Sequence, residues 1–158
     1  MPSMTRRTAL AAFAACALAT AVAFPAGAQP KAGEPLKIGF VYVSPIGDAG
    51  WTFQHDTGRK EMEKALGAKV TSKYIESVPE GADAERVIRE LAQSGHQLIF
   101  TTSFGYMNPT IKVAGTFPKT QFEHATGYKS AKNVGIYNAR FYEGRYLAGI
   151  VAGRMTKS

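Results

Sequence analysis

"LKIGFVYVSPIGDAGWTFQHDTGRK", Leu36 to Lys60, contains two kinds of signal back to back. Leu36 to Val43 is a run of β-branched and aromatic residues bounded by Pro35 and Pro45, which predicts a strand. From Trp51 the pattern changes: Trp51, His55, Gly58, Met62 and Leu66 recur at helical spacing and predict a helix to about Leu66 with those residues on its inner stripe. Between them "SPIGDAG" supplies Pro and Gly for a tight loop. A strand, a Gly-rich loop and a helix in this order make the opening unit of an α/β fold.

The rest of the chain repeats the unit. "AKVTSKYIE", Ala68 to Glu76, predicts a second strand and "VPEGA" a turn. A helix is expected from Asp83, whose carboxylate is placed to cap free first-turn amides, with Val87 and Leu91 inward and Gly95 as its stop. "HQLIFTTS" predicts a third strand, and "YMNPTIKVAGTF" a helix starting near Pro109, since proline is tolerated in a first turn. "TQFEHATG" and "NVGIYN" predict strands four and five. "RFYEGRYLAGIVAGRM" closes the chain as a strongly patterned helix. Its Gly144, Ala148, Gly149, Ala152 and Gly153 form a smooth side, expected to lie close against the sheet. Alternation of this kind implies a parallel sheet covered on both faces. Ligands of such sheets sit beyond the carboxyl ends of the strands.

Upstream, "MPSMTRRTALAAFAACALATAVAFPAGA" has the three parts of an export signal, with Arg6 and Arg7, an apolar core from Ala9 to Phe24, and Ala26-Gly27-Ala28 as a cleavage pattern. Residues 1–28 are therefore expected to be a signal peptide, 29–35 a flexible leader and 36–158 the folded unit, with room for one domain. The paired arginines admit twin-arginine as well as general export. The single cysteine, Cys16, falls inside this signal. Lipidation there is the alternative, but Phe13-Ala14-Ala15 before it matches poorly, and the mature chain is expected to hold neither disulfide nor reactive thiol.

The chain carries 19 Lys and Arg against 12 Asp and Glu. The basic residues are scattered, without runs or interleaved aromatics, so a solvated surface is expected and not nucleic-acid binding. Neither a phosphate loop, a dinucleotide fingerprint nor a G-x-S-x-G elbow occurs. His55, His96 and His124 lack metal-ligand spacing. The sequence thus points to no cofactor, no metal and no catalytic constellation. Ser103 with His124 is the one nucleophile and base pair that an exported hydrolase could be built on.

Asp48-x-x-Trp51 followed by Gly58, and "FYEGRYLAGIVAG", Phe141 to Gly153, resemble the amino-terminal signature and the "EGxYLAGxxAG" helix of the basic membrane protein family, the purine nucleoside receptor A-like solute-binding proteins of ABC importers. With "FPKTQF" before strand four, the resemblance spans most of Leu36 to Ser158. It implies a type I periplasmic-binding-protein-like lobe, α/β with a central parallel sheet flanked by helices, and incomplete because the sequence stops before the second lobe. It also implies capture of a small planar solute, a purine nucleoside or base, in the periplasm for an ABC permease at the membrane. A sensory ligand-binding domain is a further possibility.

Trp51 is the first-choice platform, since base-on-aromatic stacking contributes about 1–3 kcal/mol; otherwise its ring continues the inward stripe into the core. Asp48 is expected to accept ligand N–H or O–H groups, or to cap the helix. Phe104, Tyr106 and Asn108 after strand three, Tyr128 after strand four and Asn138 after strand five complete the expected rim. Two departures from the family pattern stand out. Thr52 and Phe53 replace amide side chains after the aromatic, and "HATGY" replaces an acidic strand end. A 130-residue half receptor is expected to bind its solute weakly or not at all.

Overall fold

A computed structural model describes residues 33–157. The proposed signal peptide, its cleavage site and Cys16 lie outside the described residues. Five parallel strands form one sheet: β1 Leu36–Val41, β2 Val70–Ile75, β3 Leu98–Thr101, β4 Gln121–Ala125 and β5 Val134–Tyr137, in the order β2-β1-β3-β4-β5. Four helices alternate with them: α1 Trp51–Leu66, α2 Ala82–Gln93, α3 Met107–Thr116 and α4 Phe141–Met155. The chain crosses from β1 to β2 on one side and then passes back over β1 to β3. The loops after β1 and β3 therefore diverge at the carboxyl edge, which opens a crevice there.

Register places alternate side chains on two faces. Val41, Ile99 and Phe122 share one face with Val134, and α2 and α3 cover it through Val87, Ile88, Leu91, Val113 and Ala114 in one buried cluster. Ile38, Phe40, Leu98 and Phe100 share the other face, where Met62 of α1 packs on them. α1 reaches only part of that face, so Phe100, Glu123 and Tyr137 stay half-buried.

The helix boundaries agree with the sequence expectation to within a few residues, but their faces do not all agree. The inner stripe of α1 is Thr52, Asp56 and Arg59, whereas Trp51 and Leu66 are exposed. The buried charges are tolerated because they satisfy one another: Arg59 Nε donates to Asp56 Oδ1 at 2.7 Å, and its Nη1 donates to Glu63 Oε2 at 3.0 Å and Ser72 Oγ at 3.1 Å. α2 begins one residue before Asp83 with Gly81 as its cap residue and no side-chain cap, so the capping role expected of Asp83 is corrected to a first-turn charge paired with Arg86. α3 follows a single 3₁₀ turn at Phe104–Tyr106.

The largest correction concerns α4. It forms where expected, yet none of its residues is buried, and Tyr142, Tyr146, Leu147 and Val151 are exposed. The smooth Gly and Ala side therefore does not lie on this sheet. Among the described residues, the aromatic contact of α4 with the rest of the lobe is Phe141 on Trp51, with ring centroids 5.6 Å apart.

Candidate functional site

The crevice at the carboxyl edge is built around Trp51, the first residue of α1. Gly50 before it has φ +95°, a left-handed conformation that turns the chain sharply out of the loop and into the helix. The indole Nε1 donates to the backbone carbonyl of Thr102, just past β3. That bond satisfies the polar edge of the ring and fixes its tilt. The His55 and Phe141 rings lie against the indole at 4.6 and 5.6 Å, and the residue is still 36% exposed. A part-exposed aromatic pinned by its edge is suited to stacking, because the ordering cost is already met before a guest arrives.

Around this ring lies a cavity of about 500 Å³, walled by Trp51, Gln54 and His55 of α1, Ala125 at the end of β4 with Thr126 after it, and Tyr137 to Ala139 with Phe141 at the start of α4. The His55 ring stands 4.6 Å from the indole and 6.1 Å from Tyr137. Thr126 adopts φ +67°, a strained conformation for a β-branched residue, and its N–H donates to Tyr137 O at 2.9 Å. Strain of this kind is concentrated at ligand clamps and active sites. The cavity opens into a wider hollow of about 1060 Å³ that also touches Phe104, Arg140 and Glu143.

Of the seven residues singled out in the sequence, Trp51 and Asn138 line both spaces, and Phe104 lines the wider one. Phe104 is held in position by Glu80, whose carboxylate accepts from Ser103 Oγ and from Gly105 N. A Cβ at Gly105 would meet that carboxylate and push the Glu80 side chain aside. Tyr128 lies tilted against Phe104 at 6.2 Å but is 72% exposed and lies off the cavity. Asn108 accepts from Lys129 Nζ at 2.9 Å, outside it. Asp48 is exposed in the loop, lines neither space and does not cap α1. Tyr106 is corrected outright. It is fully buried beneath α3 with its hydroxyl donating to Val78 O at 2.6 Å, because the 3₁₀ turn points every third side chain inward.

His55, Gln54, Thr126, Tyr137 and Phe141 were not singled out. His55 carried a usable signal, lying four residues after Trp51 on the same helix face. Thr126 carried none, since a left-handed threonine has no sequence signature. The Ser103 and His124 pair is not assembled: Ser103 Oγ donates to Glu80, while His124 is in the core with Nδ1 bonded to Thr101 Oγ1 at 2.9 Å. Burial holds its imidazole below the ordinary histidine range. Among the described residues no group of three or more His, Cys, Asp or Glu could hold a metal ion.

A family model described as "ABC transporter substrate-binding protein PnrA-like" matches residues 36–158. A purine-binding protein of Brucella abortus is 58% identical over 140 residues, covering 89% of this chain and 40% of its own length. A putative ABC transporter glucose-binding protein of Haloferax volcanii is 42% identical over 132 residues, covering 84% of this chain and 33% of its own. An ABC transporter solute-binding protein from Aeropyrum pernix, a crystal structure, superposes with a TM-score of 0.62 at 25% identity over 75% of this chain and 32% of its own. The chain thus spans at most about two-fifths of the length of these relatives.

Proposed function

Because the chain belongs to the PnrA-like family of ABC transporter substrate-binding proteins, we propose that it supplies one wall of a solute-capture site that serves an ABC permease. The captured solute in this reading is a flat heterocycle, a purine base or nucleoside, held without any reaction. The observation that carries it is the Trp51 indole, tied down at Nε1 and part-exposed in the wall of a cavity of about 500 Å³, a volume within the usual range for small-molecule sites. The name of the 58% identical relative supports a purine.

The second reading is a sugar, favoured by the name of the 42% identical relative; its hydroxyls would need more polar partners than this apolar wall provides. Residues 1–28 would deliver the protein to the periplasm as a cleaved signal, and residues 36–158 would form a first lobe against which a second closes. Titrating the chain with adenine, inosine and glucose while following the Trp51 indole N–H by NMR tests the proposal. Millimolar, saturable shifts with adenine or inosine, lost in Trp51→Ala, are expected. Saturation by glucose alone would reverse the ligand assignment, and no response to any of the three would remove the site.

A further inference from the structure

Within the proposed solute site, His55 does more than fill a wall. Its Nδ1 lies 2.9 Å from the backbone carbonyl of Trp51, one helical turn earlier. A carbonyl oxygen only accepts, so Nδ1 must carry the proton. In the neutral imidazole the other nitrogen, Nε2, then bears a lone pair. No hydrogen bond among the described residues occupies Nε2, and Tyr137 approaches the ring at 6.1 Å without bonding to it. The ring is a shared wall of the cavity beside Trp51 and of a neighbouring groove of about 370 Å³ along α1.

We propose that His55 is the specificity-determining residue of this site, its Nε2 accepting an in-plane N–H from a heterocycle stacked on Trp51. The inference rests on the solute-binding reading above and names the edge by which the solute is read. The two rings stand 4.6 Å apart at 53°, so the plane of a flat guest lying parallel to the indole is steeply inclined to the imidazole, as an edge contact requires. Gln54 and Asn138 also border the cavity, but an amide offers both a donor and an acceptor and can turn to suit either. His55 cannot adapt in that way, because the helix carbonyl fixes its tautomer. A ring with an N–H at its edge gains a hydrogen bond, whereas a donorless ring strips water from Nε2 and returns nothing.

The test uses the chain labelled with ¹⁵N-histidine and two flat probes, adenine and the donorless 9-methylpurine. In the unliganded chain, ¹⁵N spectra should show His55 protonated at Nδ1 and bare at Nε2. Adenine should move the Nε2 resonance in the direction of an accepted hydrogen bond and bind about tenfold more tightly than 9-methylpurine. His55→Phe keeps an aromatic ring in place and should abolish that preference, so that adenine and 9-methylpurine bind with similar affinities; an ¹H–¹⁵N spectrum like that of the parent verifies its fold. Adenine that moves the Trp51 indole resonance but not His55 Nε2, or a preference that survives in His55→Phe, overturns this inference and leaves the solute site standing. Adenine that moves neither resonance overturns both.

Discussion

The two faces of the sheet are finished to different degrees. Beneath α2 and α3, Val41, Ile99 and Phe122 are wholly excluded from water and packed into one cluster with Val87, Ile88 and Leu91. On the opposite face α1 covers the β2 and β1 side, and across β3, β4 and β5 the layer thins to Phe100, Glu123 and Tyr137, all half-buried. The first face holds the lobe together. The second combines aromatic rings, a carboxylate and a groove, and the candidate site lies at its open end. Stability and recognition are thus divided between opposite sides of one sheet.

Matched truncations give the largest expected effect. Phe122→Ala should cost about 4 kcal/mol, as for a fully enclosed aromatic, and Phe100→Ala, whose ring stacks on Phe40 at 4.8 Å with one side open, about 2 kcal/mol. Urea unfolding of both variants measures the difference. Equal losses would mean that the second face is as well covered as the first.

Next comes the polar stripe under α1. Burial alone would push the Asp56 carboxyl up, but hydrogen bonds from Arg59 and Lys60 more than offset this and hold it below the ordinary carboxylate range. A native pKa below the unfolded value of about 4 means that the group stabilises the fold fully above about pH 4, and that this is lost as pH falls through the depressed native value. Asp56→Asn, which leaves Arg59 without its closest partner, should cost about 3 kcal/mol at neutral pH. Its stability should also depend less steeply on pH below about 4 than the parent's. Parallel acid titrations of the two proteins would contradict this account.

The smallest effect has the opposite sign. Thr126→Gly relieves a left-handed β-branched residue and should raise stability by about 1 kcal/mol while weakening adenine binding. Calorimetric melting and the NMR titration read the two quantities separately. A variant that gained stability and kept its affinity would make the strain incidental to the site.

Much of the fold was legible because the signals involved are local. Five short apolar runs and four helical patterns appear in the order observed, and the closed face shows them most clearly, since burial there selects Val, Ile, Leu and Phe. The inner side of α1 was not legible. Asp56 and Arg59 look like a solvated surface until the helix turns them onto each other and onto Ser72 of β2. Trp51 stood out because a lone tryptophan after a Gly-rich turn is conspicuous, and it lines the cavity at the carboxyl edge. Tyr106 misled because position after a strand does not say which way a 3₁₀ turn rotates a side chain. In α4 the small residues suggested close packing on the sheet, but none of that helix is buried against it.

The indole beside the cavity is the chain's one tryptophan, and its neighbours are the imidazole of His55 and the first ring of α4. The protein therefore carries a native fluorophore at the junction where guest, histidine ring and helix direction all converge. Emission collected without any label would register occupancy of the crevice. A swing of α4 that drew Phe141 away from Trp51 would leave its own spectral mark.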